Sequence, residues 1–243
     1  MLQLDSCLEI AKSAALLAGK YIKDRHNQDL EILLNEGRDI KLQIDVDAEK
    51  IIKDHLIAKS SFPILAEESG ASNELNEFYW VVDPLDGTSN YSRDFPMCCI
   101  SIALIYENRP IFGMIHVPAS NEIFWGSKEI GAYHLKGDSL SDMKKISASQ
   151  EKKDSLRIVS SRSHPSGGLK ILLEKLEKFE LVSAGSSLKF CLIANGKADI
   201  YPRFGPTSEW DTAAGQAIVE FAGGSLITID KKPLKYNLSL IHI

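Results

Sequence analysis

Apolar residues recur every three or four positions at Leu4, Leu8, Ala11, Ala15, Ala18 and Ile22, with polar residues between them. That spacing predicts an amphipathic helix, capped near Asp5 or Ser6. A second helical stripe, Ala48, Ile51, Ile52, His55 and Leu56, predicts a helix over 46–58. His55 reads as a packed member of that stripe and not as a ligand. The pattern then shortens into β-like runs at 62–66, 79–82, 98–106, 110–117, 122–125 and 132–135. Glu107-Asn108-Arg109 joins the third and fourth of these as a hairpin. Residues 136–154 are polar and rich in lysine and serine, so a boundary is expected between a lobe of about 1–150 and one of about 151–243. Beyond it, strand and helix patterns alternate. Strands are expected at 156–160, 180–183, 198–203 and 225–229. Helices are expected at 166–178, with Leu169, Leu172, Leu173 and Leu176 inward, at 187–194, and at 210–221 before Gly223-Gly224. Such alternation argues for an α/β lobe.

A chain of 243 residues can bury a full core as one large domain or as two small lobes. The net charge of −5 and the absence of a long basic run argue against a nucleic-acid polymer as partner. A small polyanion stays compatible if cations offset the repulsion. Cys7, Cys98, Cys99 and Cys191 form no Cys-x-x-Cys pair, and Cys98 and Cys99 lie in an apolar run. Buried free thiols in a reducing compartment are expected, with no disulfide framework and no zinc site. Asp5, Glu9 and Lys12 interrupt any signal-peptide core. The longest apolar run, 97–106, is far short of the ~20 residues of a membrane helix. A cytoplasmic protein is expected, with peripheral contact to the inner membrane's cytoplasmic face left open.

The stretch with the most chemistry is Asp83-Pro84-Leu85-Asp86-Gly87-Thr88, which follows the apolar run Tyr79-Trp80-Val81-Val82. Pro84 fixes its own φ and keeps Asp83 extended. The chain is then expected to turn and bring Asp86 back beside Asp83. Two carboxylates held that close are costly unless a cation lies between them. Gly87 permits a positive φ, and Thr88 offers an O–H and an N–H to an anion if a helix starts there. The same letters are also ordinary turn chemistry. Aspartyl-nucleophile phosphatases separate their two carboxylates by two residues, which keeps both on one strand face. The three-residue gap here suits metal ligands better. Glu67-Glu68 closes one strand and Asp211 opens the helix Trp210-Asp211-Thr212-Ala213-Ala214-Gly215. Each reads singly as a solvated turn or a helix cap. Together with Asp83 and Asp86 they read as a hard-cation site of the Mg2+ type.

Asp-Pro-Leu-Asp-Gly-Thr, preceded by Ala66-Glu67-Glu68-Ser69 and followed by the Trp210–Gly215 segment, resembles the inositol monophosphatase superfamily of Mg2+-dependent, lithium-sensitive phosphatases. The likeness spans nearly the whole chain. Gly185-Ser186-Ser187-Leu188-Lys189-Phe190-Cys191, Tyr201-Pro202-Arg203-Phe204-Gly205-Pro206-Thr207 and Ser160-Ser161-Arg162-Ser163-His164 are similar to its CysQ branch. That branch removes the 3′-phosphate from adenosine 3′,5′-bisphosphate (PAP), with its sulfated precursor as a further substrate.

The resemblance implies a layered α/β/α/β/α sandwich and two or three Mg2+ ions, with Li+ inhibiting. It implies metal binding by Glu67, Asp83, the Leu85 carbonyl, Asp86 and Asp211. Asp45 and Thr88 would orient the attacking water, with Glu67 sharing its proton. Glu67, Leu85, Asp86, Gly87, Thr88 and Asp211 would also meet the substrate around its phosphate, and Ser186, Lys189, Arg203 and His164 would hold the nucleotide. Lys189 and Arg203 would pair the second phosphate, which a simple inositol phosphate lacks. Two other readings stay open: a broader inositol-phosphate phosphatase, and a non-catalytic nucleotide- or metal-binding module. Leu42 stands where relatives commonly carry threonine, and an Asn-Pro segment usual near their C-termini is not found at 236–243.

Overall fold

The computed structural model describes residues 4–26, 31–36, 39–93, 96–151, 154–161 and 167–237. Its frame is an eight-stranded sheet made of β3 (Ile64–Ala66), β4 (Gly70–Ala71), β5 (Phe78–Asp86), β6 (Cys99–Tyr106), β7 (Arg109–Val117), β8 (Glu122–Ser127), β9 (Gly131–Lys136) and β10 (Lys144–Ile146). The spatial order is β10-β9-β8-β7-β6-β5-β3-β4. β5 to β10 pair antiparallel in sequence, and β3 joins β5 in parallel.

Both faces of the central strands are covered, which explains their unbroken apolar runs. Ile100, Ile102 and Leu104 of β6 pack with α1 (Leu4–Arg25) and α2 (Gln43–Lys59). Cys99, Ala103 and Ile105, of opposite parity, pack with α5 (Leu188–Ala194) and α6 (Glu209–Phe221). A second sheet, parallel β11 (Leu156–Ser160) and β12 (Phe179–Ser183), is connected through α4 (Gly167–Glu174). A small core of Val159, Ala184 and Ala198 lies beside it. Helices and two sheets therefore alternate as the expected layers. Among the described residues no helix is long and apolar enough to cross a membrane. All four cysteines are buried and free, as expected.

Several boundaries depart from expectation. α2 starts three residues early, at Gln43, because the Asp45 carboxylate accepts the Leu42 N–H at 2.8 Å and caps the first turn. A hairpin of β1 (Ile32–Glu36) and β2 (Asp39–Leu42) forms where no strand was predicted. Residues 198–203 make only a single bridge, Ile158 with Ile200, and not a strand. Residues 225–229 likewise make one bridge, Ile227 with Pro233. In α4 only Leu169 is buried, whereas Leu172 and Leu173, expected inward, are half-buried; Leu176, also half-buried, lies past the helix end, and Ser166 lies outside the described residues. Glu107 and Asn108 both have positive φ, 48° and 61°, the geometry of a tight two-residue hairpin between β6 and β7.

The backbone of α6 lies directly on the sheet. A Cβ on Gly113 of β7 would fall 2.5 Å from the Ala214 carbonyl and 2.7 Å from the Ala217 side chain. Gly113→Ala is expected to force α6 off the sheet at a cost of about 1–3 kcal/mol. Thermal unfolding checks it: Tm should drop by several degrees, while Gly167→Ala, which meets nothing within 4 Å, should leave it nearly unchanged.

Candidate metal centre

Asp83 and Asp86 are brought together inside β5 itself. Asp83 pairs with Ser101 and Asp86 with Cys99, so three steps on β5 face two steps on β6. The extra residue is a β-bulge. It corrects the expected turn: the chain stays in the strand, and the bulge restores both carboxylates to one face. Pro84, which has no N–H for the ladder, suits that position. The Leu85 N–H folds back onto Asp83 Oδ1 at 3.1 Å. Gly87, at φ 97°, ends the strand and caps α3 (Thr88–Tyr91). A side chain there would approach the Met97 carbonyl at 3.0 Å and Ser186 Cβ at 3.3 Å. The Thr88 hydroxyl lies 3.1 Å from the Leu85 carbonyl and 3.3 Å from Asp45 Oδ1.

Two other elements complete the acidic wall. Past β3, the Glu67 N–H donates to the Val82 carbonyl at 3.2 Å. The Glu68 N–H donates to Glu49 Oε2 at 2.7 Å, and Lys41 pairs with Glu68 at 2.5 Å. Asp211 does two jobs at the start of α6. Its Oδ2 accepts the Ser208 N–H at 2.9 Å, the Thr207 hydroxyl at 2.8 Å and Arg203 Nη2 at 3.3 Å. Oδ1 takes none of these bonds. Carboxylate oxygens of Asp83, Asp86 and Asp211 all lie within 4.8 Å of one another.

The charges oppose this arrangement unless a cation joins it. Asp83 is 1% exposed. Burial, with Glu67, Asp86 and Asp211 around it, pushes its carboxyl well above the carboxylate range. Burial and Asp211 also raise Asp86, while Lys189, Ser187 and Ser186 hold it down. Glu67 shares a hydrogen bond with Asp83 and is pushed up to about 8 by its removal from water and by Glu68, Asp211 and Asp86. Its exposed edge lets solvent moderate that repulsion. All-oxygen ligands, crowded and short of countercharge, fit a hard divalent cation.

These groups line a cavity of about 590 Å3, together with Leu85, Gly87, Thr88, Arg203, Trp210, Lys41 and Leu34. That volume is in the range of small-molecule sites. Asp45 stands behind Thr88, buried at 1% exposure. Ser186 and Lys189 are also buried and do not line the cavity; they sit behind Asp86. His164 lies outside the described residues. A second cavity of about 530 Å3 borders Glu151, Asp154, Glu177 and Asp199, but among the described residues these acids form no group close enough to hold an ion.

Residues that the sequence pattern did not single out also contribute. Glu49 supports Glu68 and lies four residues beyond Asp45, on the same face of α2, which was a readable signal. Ser187 donates its hydroxyl to Asp86 Oδ2. Lys41 and Leu34 are cross-strand partners in the β1–β2 hairpin, which no apolar alternation announced.

Burial, with Glu68 adding to it, raises Asp45 to about 7 against the opposing bonds from Leu42 and Thr88. In the unfolded chain an Asp titrates near ~3.9. The folded protein therefore prefers the acid form. That preference is complete below about pH 4 and is lost as the pH rises through about 7. Asp45→Asn keeps an acceptor for the Leu42 N–H and carries no charge. In EDTA its stability relative to wild type should rise between pH 4 and pH 8, by on the order of 2–4 kcal/mol. Denaturant unfolding at the two pH values measures this; an equal difference at both would refute it.

The family model described as "Inositol monophosphatase family" matches residues 3–243. A protein from Buchnera aphidicola named 3′(2′),5′-bisphosphate nucleotidase CysQ is 39% identical over 242 residues, covering 97% of this chain and 88% of the relative. The protein of that name from Escherichia coli (strain K12) is 37% identical over 197 residues, covering 79% and 78%. Among solved structures, CysQ from Bacteroides thetaiotaomicron superposes with a TM-score of 0.81 at 30% identity, covering 99% of this chain and 94% of that one. Inositol monophosphatase from Anabaena gives 0.79 at 29% identity, covering 96% and 87%. Motif, fold, carboxylate geometry and likeness agree, and the chain belongs to the inositol monophosphatase family.

Proposed function

We propose that this chain is a Mg2+-dependent 3′(2′),5′-bisphosphate nucleotidase of the CysQ type. It hydrolyses the 3′-phosphate of PAP to leave AMP and phosphate, and accepts the sulfated precursor as well. The observation that carries the reading is the convergence of Asp83, Asp86 and Asp211 on one cavity beside the Gly87-Thr88 turn. The CysQ likeness extends along almost the whole chain and directs it to a bisphosphate nucleotide.

Asp83, Asp86, Asp211, Glu67 and the Leu85 carbonyl would hold the metal. When bound, Mg2+ supplies charge neutralisation at the phosphoryl oxygens, which is most of what phosphoryl transfer asks of a protein. The chain's own groups do the rest. Gly87 and Thr88 place backbone N–H groups against the phosphate. Thr88 and Asp45 form a short path for a proton from water: the hydroxyl reaches Asp45 Oδ1, a carboxyl poised near 7. Glu67, at the cavity rim, is a second acceptor for it. Arg203 lines the cavity beside the start of α6 and would meet the phosphate that is not cut. Trp210 and Leu34 give the same cavity apolar wall for the nucleoside. Four buried reduced thiols support a cytoplasmic setting.

Phosphate release from PAP should require Mg2+, stop in EDTA and be inhibited by Li+. Asp83→Asn should reduce it to background; Mg2+-dependent turnover retained in that variant excludes the metal assignment. A wild-type preference for inositol monophosphate over PAP would leave the family and remove the nucleotide.

Arg203→Ala should lower kcat/KM for PAP about 10- to 100-fold, the worth of one charged hydrogen bond. Its effect on 3′-AMP, which has no second phosphate, should be several-fold smaller, because there only the bonds to Asp211, the Pro206 carbonyl and the Tyr201 hydroxyl are lost. Equal losses on both substrates would move the second phosphate elsewhere.

A further inference from the structure

The acidic residues of the site do not share the same footing. Asp83 and Asp86 lie within β5, and Asp211 is held by three donors at the start of α6. Glu67 opens the three-residue connection 67–69 between β3 and β4, at the edge of the large sheet. β4 is two residues long, and its ladder with β3 ends at the pair Ala66 and Gly70. Gly70, at φ 69°, closes the connection. No strand pairing from the β4 side reaches Glu67.

α2 supplies what the ladder does not. The Glu67 N–H donates to the Val82 carbonyl at 3.2 Å, and the next N–H, that of Glu68, donates to Glu49 Oε2 at 2.7 Å. A peptide group is planar, so a bond to the Glu68 N–H fixes the plane that begins at the Glu67 Cα. Glu67 therefore stands between two anchored peptide planes, which set its φ and ψ. Glu49 is 3% exposed, a depth at which a carboxylate is seldom found without partners. Its other oxygen faces Lys53 Nζ at 3.8 Å, and the same ammonium reaches the Ser69 hydroxyl at 2.5 Å. Lys41 takes the Glu68 carboxylate. Each residue of the connection is tied down, and two of the ties run to one turn of α2. Asp45 lies one turn earlier on the same helix face.

We infer that Glu49 is a positioning residue: by accepting the Glu68 N–H it sets the backbone of Glu67 and directs that carboxylate to the metal. The inference rests on the proposed metal reading, and one calorimetric comparison separates the two. Mg2+ is titrated, without substrate, into the full-length wild type, Glu49→Gln and Glu49→Asp. Glutamine keeps an acceptor oxygen at the same reach and carries no charge. Aspartate keeps the charge but is one methylene too short for the Glu68 N–H. Glu49→Asp is expected to lose about tenfold or more in Mg2+ affinity, the usual worth of a group that orients a ligand, and Glu49→Gln to stay within about threefold of wild type. Both should melt in EDTA within a few degrees of wild type. Any result in which Glu49→Gln binds Mg2+ no more tightly than Glu49→Asp overturns the inference and leaves the metal reading intact. A loss of affinity that comes with a far larger fall in Tm assigns Glu49 to the fold alone and overturns it as well. A wild type that takes up no Mg2+ removes the metal reading itself, and the role of Glu49 with it.

Discussion

Like-charge repulsion is the constraint around which this molecule is arranged. Asp83, Asp86 and Asp211 are packed within 4.8 Å of one another, with Glu67 hydrogen-bonded to the set. Left alone, such a group expands, or keeps protons it would otherwise lose, and the raised titration of Asp83, Asp86 and Glu67 is the second response. The surrounding structure prevents the first. Asp83 is held by its own Leu85 N–H, Asp211 by three donors on one oxygen, and Asp86 by two hydroxyls. Stability is spent on a site that is complete only with a cation, a familiar conflict between function and fold.

The fold meets the constraint by using rigid elements. β5 is the third strand from one edge of an eight-stranded sheet and is buried on both faces, so its bulge cannot relax. α6 lies against the same sheet at backbone contact, with Ala214 and Ala217 over Gly113 and Ile218 over Gly126. Its first turn thereby delivers Asp211 at a fixed height over β5. Deeper along α6, Tyr236 bonds Gln216 at 2.8 Å and Thr212 at 3.2 Å, while Arg109 forks onto Glu220 at 2.9 and 3.1 Å. These bonds fix the helix along its length, and Asp211 at its start inherits that precision.

What could be read from the sequence follows from how local each cause is. Two-sided burial writes unbroken apolar runs, so β5 to β9 were all foreseen within a few residues. The spacing of Asp83 and Asp86 pointed to a departure from the plain strand, and the departure is a bulge and not the expected turn. A bulge depends on the partner strand, which no local pattern describes. The β1–β2 hairpin was missed because Ile32, Leu33 and Leu34 are exposed at 55%, 45% and 39%, without the alternation of a half-buried strand. Residues 198–203 have strand-like letters, but beyond the Ile200 bridge their bonds to β11 come from Asp199, which pairs with Arg157, so propensity met no continuous ladder. Asp211 was legible as a helix cap and as a ligand; the cap is present, and the oxygen it leaves free lies in the acidic group with Asp83 and Asp86, so one carboxylate can serve both readings.

The placement of cations completes the electrostatic logic. The described cations that line the cavity, Lys41 and Arg203, are each already paired, with Glu68 at 2.5 Å and Asp211 at 3.3 Å. Neither stands as a bare attractor for an anion. In a metal-free cavity the acids therefore dominate, and a nucleotide with two phosphates is repelled. A divalent ion held by Asp83, Asp86 and Asp211 would supply the countercharge that these two paired cations do not, while Arg203 stays at the cavity edge through its bonds to Asp211 and to the Pro206 carbonyl at 3.0 Å. A protein with net charge −5 can in this way hold a polyanion without a basic surface.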